Sequence, residues 1–125
     1  MIKLKTAILE CGDILSLCSF YAELLQWPVV FKVETFIRIQ SPDNCTGIAF
    51  QFDEKYVPPK WPTELQEQQM MAHLDFAVDE KEEMKNAVEK AIQLGAKIAD
   101  TQYGNDEWVT MIDPAGHPFC FVLWN

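Results

Sequence analysis

The chain has 125 residues, 49% of them hydrophobic, and a formal net charge of −9. That length suits one domain with a packed core, and that hydrophobic content argues against disorder. The acidic balance excludes nucleic acid and an anionic membrane surface as partners, because both require a basic face. Its plain consequence is solubility. The four cysteines, Cys11, Cys18, Cys45 and Cys120, form no CxxC pair. No secretory signal precedes them and no apolar run reaches the ~18 residues of a membrane span, so reduced cysteines in a cytoplasmic protein are expected.

Residues 3–11, KLKTAILEC, alternate as a strand. Asp13 is placed to cap the helix that follows, ILSLCSFYAELLQW, whose Leu17, Phe20, Tyr21, Leu24 and Leu25 recur at helical spacing until Pro28 ends it. VVFKVE and TFIRIQ read as short strands, SPDNCTG as a turn, and IAFQF as a fourth strand. The second half repeats the order. AHLDFAVD is a strand with Leu74, Phe76 and Val78 on one face and His73, Asp75 and Ala77 on the other. EKEEMKNAVEKAIQLGA is a helix stopped by Gly95; KIAD and EWVTMI are strands; DPAGHP is a turn; FCFVLW is the last strand. The fold class is therefore α+β, with βαβββ units at about 3–52 and 72–124 of a single domain and helices near 14–25 and 80–94. The residues between, about 53–71, hold three prolines, Pro58, Pro59 and Pro62, around Trp61 and lack clean periodicity. They form a linker that either packs outside a sheet or covers a cleft.

Two tandem βαβββ units, with HLDFAVD, LGAKI and DPAGHPFCFV in the second, resemble the vicinal-oxygen-chelate superfamily of glyoxalases, bleomycin-resistance proteins and extradiol dioxygenases. YVPPKWP, QQMMAHLDFAVD and DPAGHPFC resemble its glyoxalase-like subgroup. The resemblance covers nearly the whole chain and implies strands curving round a cleft, a small-molecule ligand and a homodimer. It also implies, for the metalloenzymes of the group, one metal ligand on the first and fourth strand of each unit. Those positions fall on His73 and Cys120 in the second unit. In the first they fall on Thr6, by aligning Asp13 with Glu80, and on Gln51, with a two-residue slip left open. Thr6, Gln51, His73 and Cys120 are a poor donor set, since divalent cations want carboxylates, imidazoles or thiolates in number. Asp75 and Glu10 share the same faces and are possible substitutes. No cofactor is expected, although a divalent metal on unusual ligands stays open.

His117 lies three residues before Cys120, but in the turn, so the two are not expected to converge; DPAGHP is first a hairpin device. His73 is the candidate general base, or else a hydrogen-bonded residue that orients its strand, with Thr6, Gln51 or Asp75 as partner. Cys120 reads as a buried thiol. Trp108 and other aromatics are candidates to line the cleft, and Arg38 is a candidate anion anchor whose facing alternation does not decide. The ligand-binding set is therefore Thr6, Gln51, His73, Asp75, Trp108, Cys120 and Arg38. The function expected is binding of a small organic molecule without the superfamily's metal centre. The alternative is a glyoxalase-like lyase that uses unusual ligands or His73 as a base.

Overall fold

The computed structural model describes residues 1–124. The chain forms two compact units, Met1–Tyr56 and the residues from Val57 onward. Each holds one helix and one mixed four-stranded sheet.

The first unit runs β1 (Thr6–Cys11), α1 (Ile14–Leu25), β2 (Val29–Val33), β3 (Phe36–Gln40) and β4 (Gly47–Phe52). The sheet order is β1-β4-β3-β2, with β1 parallel to β4 and the other neighbours antiparallel. The alternation begins only at Thr6, so the first strand is shorter than residues 3–11 suggest. The Asp13 side chain accepts from the Ser16 N–H and caps α1. Gln26 closes the helix in the left-handed region (φ 58°), where Trp27 N–H reaches back to the Ala22 carbonyl. The apolar stripe of α1 then meets the inner face of the sheet. Leu17, Phe20 and Tyr21 pack with Ile37, Ile39, Ile48 and Phe50, and the Tyr21 ring stacks on Phe50 at 5.8 Å. Burying each such side chain is worth about 1.5–3 kcal/mol.

The second unit runs β5 (Leu74–Val78), α2 (Lys81–Gln93), β6 (Lys97–Ile98), β7 (Trp108–Ile112) and β8 (Pro118–Leu123), in the order β5-β8-β7-β6. β5 and β8 are parallel; the rest are antiparallel. The Glu80 side chain does not cap α2; the Glu83 carboxylate accepts from the Asp79 N–H at the same end. Gly95 ends the helix with φ 117°, Gly95 N–H bonding the Ile92 carbonyl and Ala96 N–H that of Ala91, the paired bonds of a glycine stop. The core centres on Phe119 and Phe121, edge-to-face at 5.5 Å, with Phe76, Met111, Met84 and Ala91 around them.

KIAD gives only the two residues of β6, followed by one further backbone bond from Ala99 N–H to the Thr110 carbonyl. The Gln102 side chain continues the pairing in place of backbone. Its amide nitrogen donates to the Thr110 and Ala99 carbonyls at 2.7 and 2.9 Å, and its oxygen accepts from the Thr110 N–H at 2.9 Å.

The linker from Val57 belongs to the second unit. Trp61 Nε1 donates to the Thr101 carbonyl at 3.1 Å, and its ring meets Tyr103 edge-on at 5.9 Å. Pro58 fills the space over Gly116, whose φ of 98° and crowded surroundings require glycine. A groove of about 350 Å³ lies between this strap and β6, with Lys60, Trp61 and Lys97 in its walls.

Candidate functional site

The two sheets can be compared residue by residue through their hydrogen-bond registers. In the first unit Ile8, Ala49 and Arg38 stand side by side across β1, β4 and β3. In the second, Asp75, Cys120 and Thr110 do so across β5, β8 and β7. One step along, the row Thr6–Gly47–Gln40 answers to His73–Pro118–Ile112. Thr6 is therefore the counterpart of His73. Gln51 is not the counterpart of Cys120: Ala49 is, and Gln51 is an exposed residue opposite Glu10 that answers to Val122. Alternation alone fixes faces but not which of two same-face residues is in line, and the expectation missed by those two residues.

In the second unit the row is polar. Its neighbours Leu74, Phe76, Val78, Phe119 and Phe121 point to the helix, so His73, Asp75 and Cys120 point away from it. His73 Nε2 lies 3.1 Å from Asp75 Oδ1. The donor atoms of His73, Asp75 and Cys120 all fall within 4.8 Å of one another. Cys120 is buried, and the Thr110 hydroxyl lies 3.5 Å from its Sγ. Burial pushes the Cys120 thiol pKa up; the Thr110 hydrogen bond opposes this, and the Asp75 charge and hydrogen bond add to it. Cys120 is therefore held as a neutral thiol. The His73 side chain is 39% exposed, because it precedes β5 where the sheet begins.

In the first unit the equivalent row is Ile8, Ala49 and Arg38. Ile37 and Ile39 are buried on the helix side, which turns Arg38 to the other face. There its guanidinium lies over Gly47, and a Cβ at that position would stand 2.7 Å from Nη2 and 2.9 Å from Nε. Nε donates to Thr6 Oγ1 at 2.8 Å, and Nη1 donates to Gln40 Oε1. Nη2 is shielded from water and has no acceptor among the described residues, a state that costs about 1–3 kcal/mol.

His117 is settled by its own turn. The buried Asp113 carboxylate accepts from the backbone N–H groups of Ala115 and His117 and lies 2.9 Å from His117 Nδ1. His117 is thereby held to the hairpin and is not part of the His73 cluster. Trp108 opens β7 on the same face as Thr110, with the Gly104 backbone against its indole; a Cβ on Gly104 would collide with the Trp108 carbonyl oxygen. Gln102, Gln40 and Gly47 escaped the sequence reading. The signal for Gly47 was a glycine one row from the chain's single arginine.

The four-point metal set of the superfamily's metalloenzymes can be tested against these rows. The second unit supplies imidazole, carboxylate and thiol. The first supplies a methyl group at Ala49 and, at Thr6, a hydroxyl already engaged by Arg38. A guanidinium lies beside that position. This donor chemistry does not fit the set.

A family model for the glyoxalase-like domain matches residues 6–122. The chain belongs to the glyoxalase-like domain family. Among solved structures it is similar to a glyoxalase/bleomycin resistance protein/dioxygenase family enzyme from Burkholderia phytofirmans PsJN, at 19% identity and a TM-score of 0.74 over 96% of this chain and 97% of that one. It is similar to a possible glyoxalase from Bacillus cereus at 11% identity and a TM-score of 0.72, covering 98% and 99% of the two chains. A glyoxalase-related enzyme from Fulvimarina pelagi gives 18% identity and a TM-score of 0.72, covering 98% and 88%. At these identities the likeness is one of fold. Curated proteins give no match.

Proposed function

We propose that this chain binds a small organic molecule on the sheet faces turned away from its helices, without the four-ligand metal centre of the superfamily's metalloenzymes. One observation carries the reading: the rows that answer to each other are Asp75–Cys120–Thr110 in one unit and Ile8–Ala49–Arg38 in the other. Where the metalloenzymes place ligands, the first unit thereby offers a methyl group at Ala49 and, at Thr6, a hydroxyl engaged by Arg38. The candidate residues are Thr6 and Arg38 on the first unit's sheet, with Gln51 on the same face further along β4, and His73, Asp75, Trp108 and Cys120 on the second unit's sheet. A thermal-shift screen of small organic compounds tests the reading. A His73→Ala variant should lose affinity for a confirmed ligand while its melting temperature holds, because the side chain is partly exposed and packs little. Unchanged affinity would remove His73 from the site.

A second reading is a lyase or related enzyme of the same superfamily, and the gathering of His73, Asp75 and Cys120 within 4.8 Å favours it. There Asp75 would orient His73 as a general base, or the three would hold a metal with unusual ligands. Turnover lost on both His73→Ala and Asp75→Asn, with folding intact, would establish it. The subunit arrangement belongs to the same proposal. The edge strand β2 exposes Val29, Val30, Phe31 and Val33, an apolar strip suited to a homodimer contact. Sedimentation at twice the 14.4 kDa chain mass is the expected result. The buried free thiols Cys11, Cys18 and Cys120 fit a reducing, cytoplasmic setting.

A further inference from the structure

We infer that Arg38 anchors an oxyanion, so that the ligand of this protein carries a carboxylate or phosphate-type group; this rests on the small-molecule reading above. The chain has nineteen acidic residues and ten basic ones, and Arg38 is its single arginine. In so acidic a protein an arginine on a sheet would ordinarily find a carboxylate. Arg38 has none within ion-pair distance among the described residues. Its two ordered contacts are to neutral oxygens, the Thr6 hydroxyl and the Gln40 side-chain amide. Neutral acceptors fix the plane of a guanidinium and leave its charge uncompensated.

The frame that holds it is specific. Thr6, Gly47 and Gln40 stand in one row across three strands, and Arg38 reaches back from the next row to lie over Gly47. Thr6 and Gln40 grip its two sides, and the missing side chain at Gly47 leaves room for the group itself. The remaining donor, Nη2, has no acceptor. An oxyanion is the chemical group that completes this arrangement, since it offers lone pairs to the fork and neutralises the charge in the same contact. A neutral hydroxyl or amide would supply the hydrogen bond and leave the charge unmet.

The single arginine also supplies the probe. Its Nε–H gives one side-chain resonance in a nitrogen-15 spectrum, free of overlap from other arginines. The full-length protein is titrated at constant ionic strength with benzoate, phenylphosphonate and inorganic phosphate, and in parallel with neutral benzamide. The expected result is a saturable shift of the Arg38 resonance with at least one organic oxyanion and none with benzamide. Saturation by inorganic phosphate as well would mark the oxyanion alone as sufficient; saturation by the organic acids alone would add the ring to what is recognised. Affinity should fall roughly tenfold or more in Arg38→Gln, as expected for loss of a charge-assisted contact. Arg38→Lys, which keeps the charge without the fork, should fall between. Should Arg38→Gln fail to fold, Gly47→Ala crowds the guanidinium from below and should weaken the same binding. An Arg38 resonance unmoved by every oxyanion, or moved equally by benzamide, would overturn the inference. If neutral compounds still raise the melting temperature in that case, the small-molecule reading stands and the anion fails; if neither class binds, both fall.

Discussion

The two units of this chain are built on one plan and finished with different chemistry. Both put a helix against one face of a mixed sheet, both hold two phenylalanine or tyrosine rings at the centre of that contact, and both close their last hairpin with a proline-containing turn. On the other face they part. The second unit gathers an imidazole, a carboxylate and a neutral thiol; the first has an alkyl pair and a guanidinium lying over a glycine. The helix-facing side is constrained by packing, which rewards volume and tolerates little variation in polarity. The other side is not packed by the helix, and there the two units hold different groups. The comparison teaches that the shared frame predicts architecture and that function has to be read from the rows where the copies differ.

Several substitutions can break or sharpen that comparison. The largest effects belong to the shared part. Phe50→Ala and Phe119→Ala each remove a fully buried ring from one core and should each cost about 3–5 kcal/mol in urea unfolding. A cost below about 1 kcal/mol at either would mean that the two cores are not equivalent. The hairpin turns come next, and here the units should diverge. Asp113→Ala strips a buried carboxylate from two backbone N–H groups and His117, for an expected loss of about 2–4 kcal/mol. The Ser41 hydroxyl, at the matching place in the first unit, accepts from Thr46 N–H and donates to the Asp43 carboxylate; Ser41→Ala should cost under about 1 kcal/mol. Equal losses would undo the view that the second turn is the more heavily fastened.

Gln102→Ala removes the side chain that extends the ladder beside β7. It should lower stability by about 1–2 kcal/mol and loosen the Thr110 amide in hydrogen exchange. The smallest effect is alkaline. Burial raises the thiol pKa of both Cys18 and Cys120 above the usual 9.0, with Lys32 opposing at Cys18 and Asp75 adding at Cys120. A raised pKa means that the folded state keeps its proton when the unfolded state has lost it. The contribution is therefore complete below about pH 9 and is lost as pH rises through the folded value. Stability should decline above pH 9, and Cys120→Ala should flatten that decline more than Cys18→Ala.

Much of the shared plan was legible from the sequence because it rests on local signals. The alternation of TFIRIQ and HLDFAVD, the helical spacing of Leu17, Phe20, Tyr21 and Leu24, the Asp13 cap and the Gly95 stop are each set by a few neighbouring residues. The turn reading of DPAGHP held for the same reason, since Asp113 binds its own turn. What escaped is what depends on register between distant strands. The slip from Gln51 to Ala49 leaves both residues on one face, so only the pairing of β1 with β4 distinguishes them. Asp75 meets His73 and Cys120 because β5 pairs with β8 in one register, and Arg38 meets Thr6 because β1 and β3 flank the same strand. Gln102 standing in for backbone carries no pattern at all. The linker was read as either a lid or packing, and in the structure Trp61 hydrogen-bonds to Thr101 in the second unit.

The central proposal is that this protein binds its ligand without a metal centre. Elemental analysis of the full-length protein, purified without chelators and repeated after zinc loading and dialysis, tests it most directly. The account predicts well under one transition metal per chain in both preparations. One metal per chain, retained through dialysis and lost in His73→Ala, would contradict it.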